Sequence, residues 1–294
     1  MGKGLKNILS FIFYSNLFIA VCGFCFTLFS VAVLDFYPRS DAPWYCLLVS
    51  LSVFFIYGLQ RIVLILKMMR NKESVPDSLS VRDVWMIQNM KTLIAMNLVA
   101  ACGIVFFVFY IDCKLILYFL PLLVICILYF SGPFALKKIP GMKAFIIAFV
   151  WTAVSVEIPR LFFRQAETHY TNLWWDLSQF LFIAALCVPF DIRDYGDDLK
   201  NNIRSLPVVI GVRNAKILSV ILLLIYPLAI FLTKGIPIEL FYGTILSALC
   251  GILVVLFSNT RRGDFYYSFF ADGMLIFQEL AVIACVVVLR AAGT

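Results

Sequence analysis

The sequence predicts an all-α fold, a multi-pass transmembrane bundle of about nine helices. Of its 294 residues, 63% are hydrophobic and only 14% are charged, whereas soluble domains average about 45–50% and about 25%. A soluble core of this size cannot cover so much apolar surface, so lipid must solvate part of it. Because neither a polar domain nor a low-complexity tract interrupts the apolar stretches, we expect residues 1–294 to form a single integral-membrane domain.

Each predicted span is an apolar stretch long enough to cross the bilayer. About 20 apolar residues in a helix are needed to cross about 30 Å of hydrocarbon. The third and fourth stretches are separated only by residues 112–114. The first has no small-residue cleavage site and is too long for a signal peptide, so we expect it to be retained. The predicted spans are 8–34, 43–66, 92–111, 113–131, 141–159, 174–190, 215–233, 236–257 and 267–290.

The basic residues predict the orientation of the bundle. Most of the 24 lysine and arginine residues fall in segments that are cytoplasmic if the N-terminus is inside. We therefore expect a cytoplasmic N-terminus, a C-terminus on the opposite side, and a location in the plasma or inner membrane. The net charge of +7 follows this topology, so it does not indicate nucleic-acid binding. The two longest loops, about 67–91 and 191–214, both lie on the predicted cytoplasmic side.

The cysteine and histidine content argues against redox or transition-metal chemistry. Nearly all nine cysteines lie inside apolar runs, where cysteine acts as a small hydrophobic residue. Even Cys22 and Cys25, which form a CxxC, lie within a predicted span. The one histidine, His169, excludes a site built from several histidines.

An acidic segment follows the sixth predicted span. Asp191, Asp194 and Asp198 have i, i+3, i+7 spacing, which places them on one face of a helix about 5–6 Å apart. Like charges at this spacing repel unless a cation lies between them, and hard carboxylate oxygens suit Mg²⁺. The alternative is a solvated loop in which these acids pair with basic neighbours such as Arg193 and Lys200.

The residues after the acids indicate a family. Arg204 is followed by Ser-Leu-Pro-Val and, three residues later, by Gly211. Together with the aspartates, this resembles the second aspartate motif of the UbiA family of intramembrane prenyltransferases, D-x-x-D-x-x-x-D followed by G-x-x-[ST]-L-P-V-x-x-G, with Asn202 near the usual glycine. Further similar features are residues 129–133 before Lys137 and Lys138, Trp151, and Asp272-Gly273.

The resemblance implies a reaction and a set of site residues. The family transfers a prenyl group from its diphosphate to a lipophilic acceptor, often an aromatic ring or quinone precursor. By resemblance, Mg²⁺ held by carboxylates neutralises the departing diphosphate, and an apolar bundle shields the carbocation-like fragment from water. The residues expected to act are Asp191, Asp194 and Asp198 as catalytic and metal-binding groups, and Arg61, Gln60, Lys137, Lys138, Arg204 and Asp272 as substrate-binding groups.

The sequence departs from the family at the first aspartate motif, N-x-x-x-D-x-x-x-D. With Gly58 at the asparagine position, Ile62 and Leu66 stand where the aspartates belong, and neither can bind a metal. Two hypotheses follow. In one, Arg61 and Gln60 contact phosphate directly; in the other, the protein binds an isoprenoid or phosphorylated lipid without turnover.

Two further interpretations concern the neighbouring loop and the functional class. Glu73 and Asp77 could form a displaced acid pair, although Pro76 disfavours a continuous helix through them. A transporter would predict broken spans near mid-membrane and paired halves, and the sequence shows neither clearly.

Overall fold

A computed structural model describes residues 3–34, 40–70, 80–130, 135–163, 173–233 and 235–291. Within these ranges the regular structure is helical, with no strand. The helices are α1 (Lys3–Tyr14), α2 (Leu17–Val33), α3 (Ala42–Arg70), α4 (Val81–Gln88), α5 (Met90–Ile111), α6 (Leu115–Phe130), α7 (Met142–Phe162), α8 (Leu173–Arg193), α9 (Tyr195–Lys200), α10 (Leu206–Ile210), α11 (Val212–Leu232), α12 (Ile238–Phe257) and α13 (Asp264–Ala291).

The helices confirm the predicted all-α membrane fold. Seven of them, α3, α5, α7, α8, α11, α12 and α13, are long and apolar enough to cross a bilayer. The first predicted span is the pair α1 and α2, bent by 59°, and α6 is a shorter apolar helix of 16 residues. The sixth span is longer than predicted, because α8 continues to Arg193 and therefore includes Asp191.

The core of the bundle surrounds α8. This helix packs against α7 and α11, with further contacts to α12. A helix that is apolar on all sides is typical of a buried position, and Trp175, Phe182 and Val188 of α8 are fully buried. On the other side of the bundle, α13 packs against α2 and α12. Because α8 is held on several sides, the residues at its end have a fixed position.

Two helices contain a π-helical turn, a feature that is frequent at functional sites. In α7 the turn spans Ala153–Glu157. Pro159 has no N–H to donate to the carbonyl four residues earlier, which favours a local change in the hydrogen-bond pattern. In α13 the turn spans Tyr267–Ala271 and ends directly before Asp272. The turn therefore directly precedes a predicted site residue.

All nine cysteines are free thiols, and Cys22, Cys46 and Cys187 are buried. This agrees with their predicted role as small apolar residues. His169, Glu73 and Asp77 lie outside the residues that the structure describes.

Candidate active site

The three aspartates of the acidic segment lie together where α8 ends. The backbone stays helical through the junction with α9, because the Asp194 N–H donates to Phe190 O at 2.9 Å and the Asp198 N–H to Asp194 O at 2.8 Å. The i, i+3, i+7 spacing therefore keeps its helical geometry across the break. Asp191 and Asp198 are buried, with exposed fractions of 1% and 3%. Asp191, Asp194 and Asp198 are called the acid cluster below.

Lys143 places its ammonium at the centre of the acid cluster. Its Nζ lies 3.1 Å from Asp191 Oδ1, 3.4 Å from Asp194 Oδ2 and 2.9 Å from Asp198 Oδ2. Sequence analysis had counted Lys143 only as a topology signal. The sequence feature that could have indicated a role for Lys143 in the site is its position in the first turn of an apolar span, where a buried charge requires a partner.

Two tight loops bring Lys143 to this position. Gly141, just before α7, has a φ of 72°, a left-handed value that favours glycine. Its N–H donates to Arg204 O at 3.1 Å, which ties the start of α7 to the segment after the acid cluster. Asn202 in that segment also has a positive φ, 54°. This explains why the family motif has glycine near that position, since asparagine is the next most tolerant residue there.

Arg193 supplies a second cation. Its Nε donates to Asp194 Oδ1 at 2.8 Å, and its Nη1 lies 3.7 Å from Asp264 Oδ1 at the start of α13. The guanidinium also lies over the rings of Phe190 and Tyr267, at 5.2 and 5.7 Å from their centroids. Burial alone would raise the pKa of Asp194, but Arg193 and Lys143 hold that pKa well below its ordinary value. Asp194 is therefore a carboxylate throughout the physiological pH range.

The charges of the acid cluster are incompletely balanced. The three carboxylates are bonded by two cations, Lys143 and Arg193, and Arg193 is shared with Asp264. Asp191 Oδ2 is buried and has no hydrogen-bond partner, although buried polar atoms normally have one. This free oxygen fits a single Mg²⁺ held by one or two carboxylates, water and phosphate. Within the described ranges, however, no three His, Cys, Asp or Glu side chains form a ready metal-binding group.

The wall formed by the end of α3 differs from the acid cluster. Arg61 Nη1 lies 3.6 Å from Asp83 Oδ1 of α4, and its charge helps to lower the pKa of Asp194. Ile62 is buried at 7% exposure and Leu66 is exposed at 48%. Helix α3 contains no Asp or Glu, so this wall offers no carboxylate ligand from α3.

Gly58 packs directly against the Asn97 side chain of α5. A Cβ at this position would lie 2.4 Å from Asn97 Nδ2, closer than real contacts allow. The Asn97 amide therefore occupies the space beside Gly58, and its Oδ1 is buried without a hydrogen-bond partner. A side chain at position 58 and the Asn97 amide exclude each other.

The other predicted substrate-binding residues differ in how exposed their side chains are. Gln60 and Lys137 are half-buried, while Lys138 and Arg204 are exposed. Burial lowers the pKa of Lys137, and so does the charge of Lys143, whereas Asp198 raises it; Lys137 is thus close to the acid cluster.

Asp272 is half-buried on α13. Its charge acts on both Arg193 and Arg82, which places it between the acid cluster and α4.

An apolar groove of about 850 Å³ lies between α12 and α13, beside Phe18 of α2. Arg262 is in its lining, as are Gly273 and Met274, which directly follow Asp272. Most of the remaining lining is aromatic or aliphatic: Cys250, Leu253, Val254, Phe257, Tyr266, Phe269, Phe270, Ile276, Phe277 and Leu280.

A sequence model of the UbiA prenyltransferase family matches residues 86–275. The chain belongs to the UbiA prenyltransferase family. As a UbiA-family member with these apolar helices, it is an integral membrane protein. The family match includes the acid cluster and Lys143, but not the first-motif positions on α3.

The fold is similar to solved structures of a UbiA homolog from Archaeoglobus fulgidus. The structure bound to GPP and Mg²⁺ has a TM-score of 0.57 and 13% identity, with 96% of this chain and 99% of that chain covered. The structure bound to DMAPP and Mg²⁺ has a TM-score of 0.54 and 15% identity, covering 92% and 98%. The structure bound to Cd²⁺ has a TM-score of 0.53 and 17% identity, covering 92% and 99%. At these identities the likeness shows the UbiA fold. A search of curated proteins returned no match.

Proposed function

We propose that this protein transfers a prenyl group from a prenyl diphosphate to a lipophilic acceptor, an aromatic compound or quinone precursor, at the acid cluster. The observation that carries the proposal is the convergence of Asp191, Asp194 and Asp198 at one end of the bundle. Membership of the UbiA prenyltransferase family supports it, as do the diphosphate-bound structures of the Archaeoglobus homolog. From the distribution of basic residues, we place this end on the cytoplasmic side, with the N-terminus.

Mg²⁺ is the proposed cofactor, held by Asp191 and Asp198 with Asp194 close by. When bound, it would neutralise charge that develops on the leaving diphosphate. The protein's own cations have a complementary task. Lys143 and Arg193 hold the carboxylates in place, and we propose that Lys137 contacts a phosphate oxygen.

The interior of the bundle is suited to a carbocation-like fragment. Trp151 is buried on α7, and its ring lies 6.2 Å from that of Phe26, edge to face. Its Nε1 donates to Tyr57 Oη at 3.4 Å. Aromatic faces attract cations, and an apolar lining excludes the water that would quench the fragment. We propose that the groove between α12 and α13 accommodates the isoprenoid tail of a substrate, because its lining is aromatic and aliphatic.

A second candidate function is binding of a prenyl diphosphate without turnover. Two observations favour it: Ile62 and Leu66 replace the acids of the first motif, and the Lys143 ammonium occupies the centre of the acid cluster. A fixed ammonium neutralises charge but is a weaker electrophile than a divalent metal ion.

One assay separates the two functions. Purified protein is incubated with labelled geranylgeranyl diphosphate, Mg²⁺ and a panel of aromatic acceptors. Transfer requires a prenylated product that disappears in the Asp191→Ala and Asp194→Ala variants. Mg²⁺-dependent binding with no product after days supports the binding function, and absence of both product and binding contradicts both functions.

A further inference from the structure

The first span breaks where it meets α4. Residues Asn7–Tyr14 and Leu17–Val33 meet at 59°, and Asn16 at the bend has a left-handed φ of 71°. Asparagine tolerates this conformation better than most residues. Its side chain is buried at 3% exposure. The break therefore turns an amide group inward, toward α4.

Arg82 of α4 meets this amide. Ser80 caps α4, because its Oγ accepts from the Asp83 N–H at 3.1 Å, and this fixes Arg82 in the first turn. Arg82 Nη2 donates to Asn16 Oδ1 at 2.5 Å. Only 8% of Arg82 is exposed. A neutral amide thus orients a guanidinium that is more than nine-tenths buried.

Arg82 has no carboxylate within 4 Å in the part of the chain that the structure describes. Its neighbour Arg61 pairs with Asp83, and Arg193 pairs with Asp194 and Asp264. A buried charge is costly unless it is paired. Burial, and after it the charges of Arg61 and Arg193, lower the pKa of Arg82 to about 9. Among the described residues, Asp264 and Asp272 act on this guanidinium from a distance, and no carboxylate is bonded to it directly.

Several donors around Arg82 also lack acceptors. Arg82 Nε, Asn16 Nδ2 and Ser15 Oγ are buried and have no hydrogen-bond partner. Arg82 Nε and Asn16 Nδ2 can only donate, whereas Ser15 Oγ can donate or accept, so at least two of the three atoms need an acceptor. An oxyanion supplies acceptor oxygens and negative charge together, and phosphate matches the guanidinium fork.

The location of Arg82 connects it to the acid cluster. Arg193, which bonds Asp194, and Arg61 both act electrostatically on Arg82, and so does Asp272. Arg82 is therefore on the α3 and α4 side of the same polar region, where the first aspartate motif of the family is missing.

We propose that Arg82 binds the second phosphate of a prenyl diphosphate. Its positive charge, held in place by Asn16, neutralises the phosphate directly. Without acids on α3, a metal ion cannot be held there to do so. The inference rests on the proposed function for the identity of the ligand. It predicts that Arg82 distinguishes a diphosphate from a monophosphate.

The test measures equilibrium binding of geranylgeranyl diphosphate and geranylgeranyl monophosphate to the full chain in detergent, without acceptor. We expect Arg82→Gln to weaken diphosphate binding by about 10- to 100-fold, because a hydrogen bond between charged groups is lost. Monophosphate binding should stay within about threefold of the parent value. Arg213→Gln, which removes an exposed arginine from α11, is the matched control and should change neither. Asn16→Gly, which keeps the left-handed backbone, should weaken diphosphate binding by about threefold to tenfold.

Unchanged diphosphate affinity in Arg82→Gln would overturn the inference, and so would an equal loss for both ligands in a variant that melts like the parent. If Arg82→Gln does not fold, the same binding measurements are made on Arg82→Lys, which keeps the positive charge but lacks the paired N–H donors of the guanidinium. An undiminished preference for the diphosphate in Arg82→Lys and in Asn16→Gly would then overturn it. Binding is measured separately from turnover. If the protein forms no product but Arg82→Gln still selectively weakens diphosphate binding, only the proposed prenyl transfer is refuted, and the role of Arg82 stands.

Discussion

The acid cluster and the wall at the end of α3 handle charge in opposite ways. At the acid cluster, three carboxylates, two of them buried, gather around Lys143. The α3 wall has no acidic residue on α3, and the nearby cations are Arg61 and Arg82. A site with carboxylates on both walls depends on metal ions to attract a diphosphate. In this site one wall has arginine side chains and the other has carboxylates. We therefore predict that diphosphate binding to this protein depends less on metal ions.

The largest effect is expected from removing the cation of the acid cluster. Lys143→Met leaves three carboxylates together, and among the described residues only Arg193 remains bonded to one of them; this should lower stability by about 3–5 kcal/mol. Thermal unfolding in EDTA measures the loss, and added Mg²⁺ should restore part of it by taking the place of the ammonium. Lys200→Met, at an exposed lysine of α9, is the control. A Lys143→Met protein as stable as the parent in EDTA would show that the carboxylates do not need this cation.

A second large effect concerns the free carboxylate oxygen. Asp191→Asn keeps the shape of the side chain but removes the charge that faces Lys143 and the proposed Mg²⁺. We expect prenyl transfer to fall by about 10²- to 10³-fold, the usual cost of losing one preorganised electrostatic group. Initial rates with saturating acceptor measure the change. Asp112→Asn, in the loop between α5 and α6, should retain the parent rate; equal rates for Asp191→Asn and the parent would remove Asp191 from the site.

A third prediction concerns a substitution that gives the α3 wall a carboxylate, as the acid cluster has. Leu66→Asp places a carboxylate at a family aspartate position that is exposed and can accept a charge. The Mg²⁺ concentration that gives half-maximal diphosphate binding should fall by about tenfold, because a second oxygen ligand becomes available. Leu64→Asp is the matched control, since residue 64 lies on a different face of α3. A shift of the same size in both variants would point to general attraction of cations.

The smallest effect is a pH dependence at Asp194. Its pKa in the folded protein is depressed by Arg193 and Lys143 against the effect of burial. The resulting stabilisation is fully present above the unfolded pKa of about 4 and is lost as pH falls through the lower folded value. Asp194→Asn should therefore cost about 1 kcal/mol at pH 7 and progressively less below pH about 4. Unfolding of the parent and of Asp194→Asn across this range measures the difference. Asp197→Asn, at the exposed neighbour, should show no such trend.

The spans and the acid cluster follow from local patterns. A span is a property of one apolar segment in lipid, so the helices could be placed from length and composition, with errors of a few residues at their ends. The proximity of Asp191, Asp194 and Asp198 follows from the period of one continuous helix, which Asp194 and Asp198 preserve through their backbone hydrogen bonds. The first span was predicted as one segment, and the bend at Asn16 shows no composition signal beyond the asparagine itself.

The partners of these residues could not be predicted in the same way. Lys143 is 48 residues from Asp191 in the chain, and Arg82 is 66 from Asn16. A lysine at the start of a span has the same sequence signature whether it faces solvent or three carboxylates. Arg61 was expected to contact phosphate, and only the packing of α4 over α3 shows its pairing with Asp83.

The amino-acid sequence by itself determined a helical membrane bundle with an acidic helix end, because hydrophobic length and helical period are set within single segments. The tertiary structure decided which cation faces which carboxylate, because pairing between charges depends on how α7, α8 and α4 approach one another in space. It also decided that, among the described residues, Asp191 Oδ2 and Arg82 Nε have no hydrogen-bond partner. Both groups are buried by helices distant in the chain, and burial is what makes an unpaired charge attract a ligand.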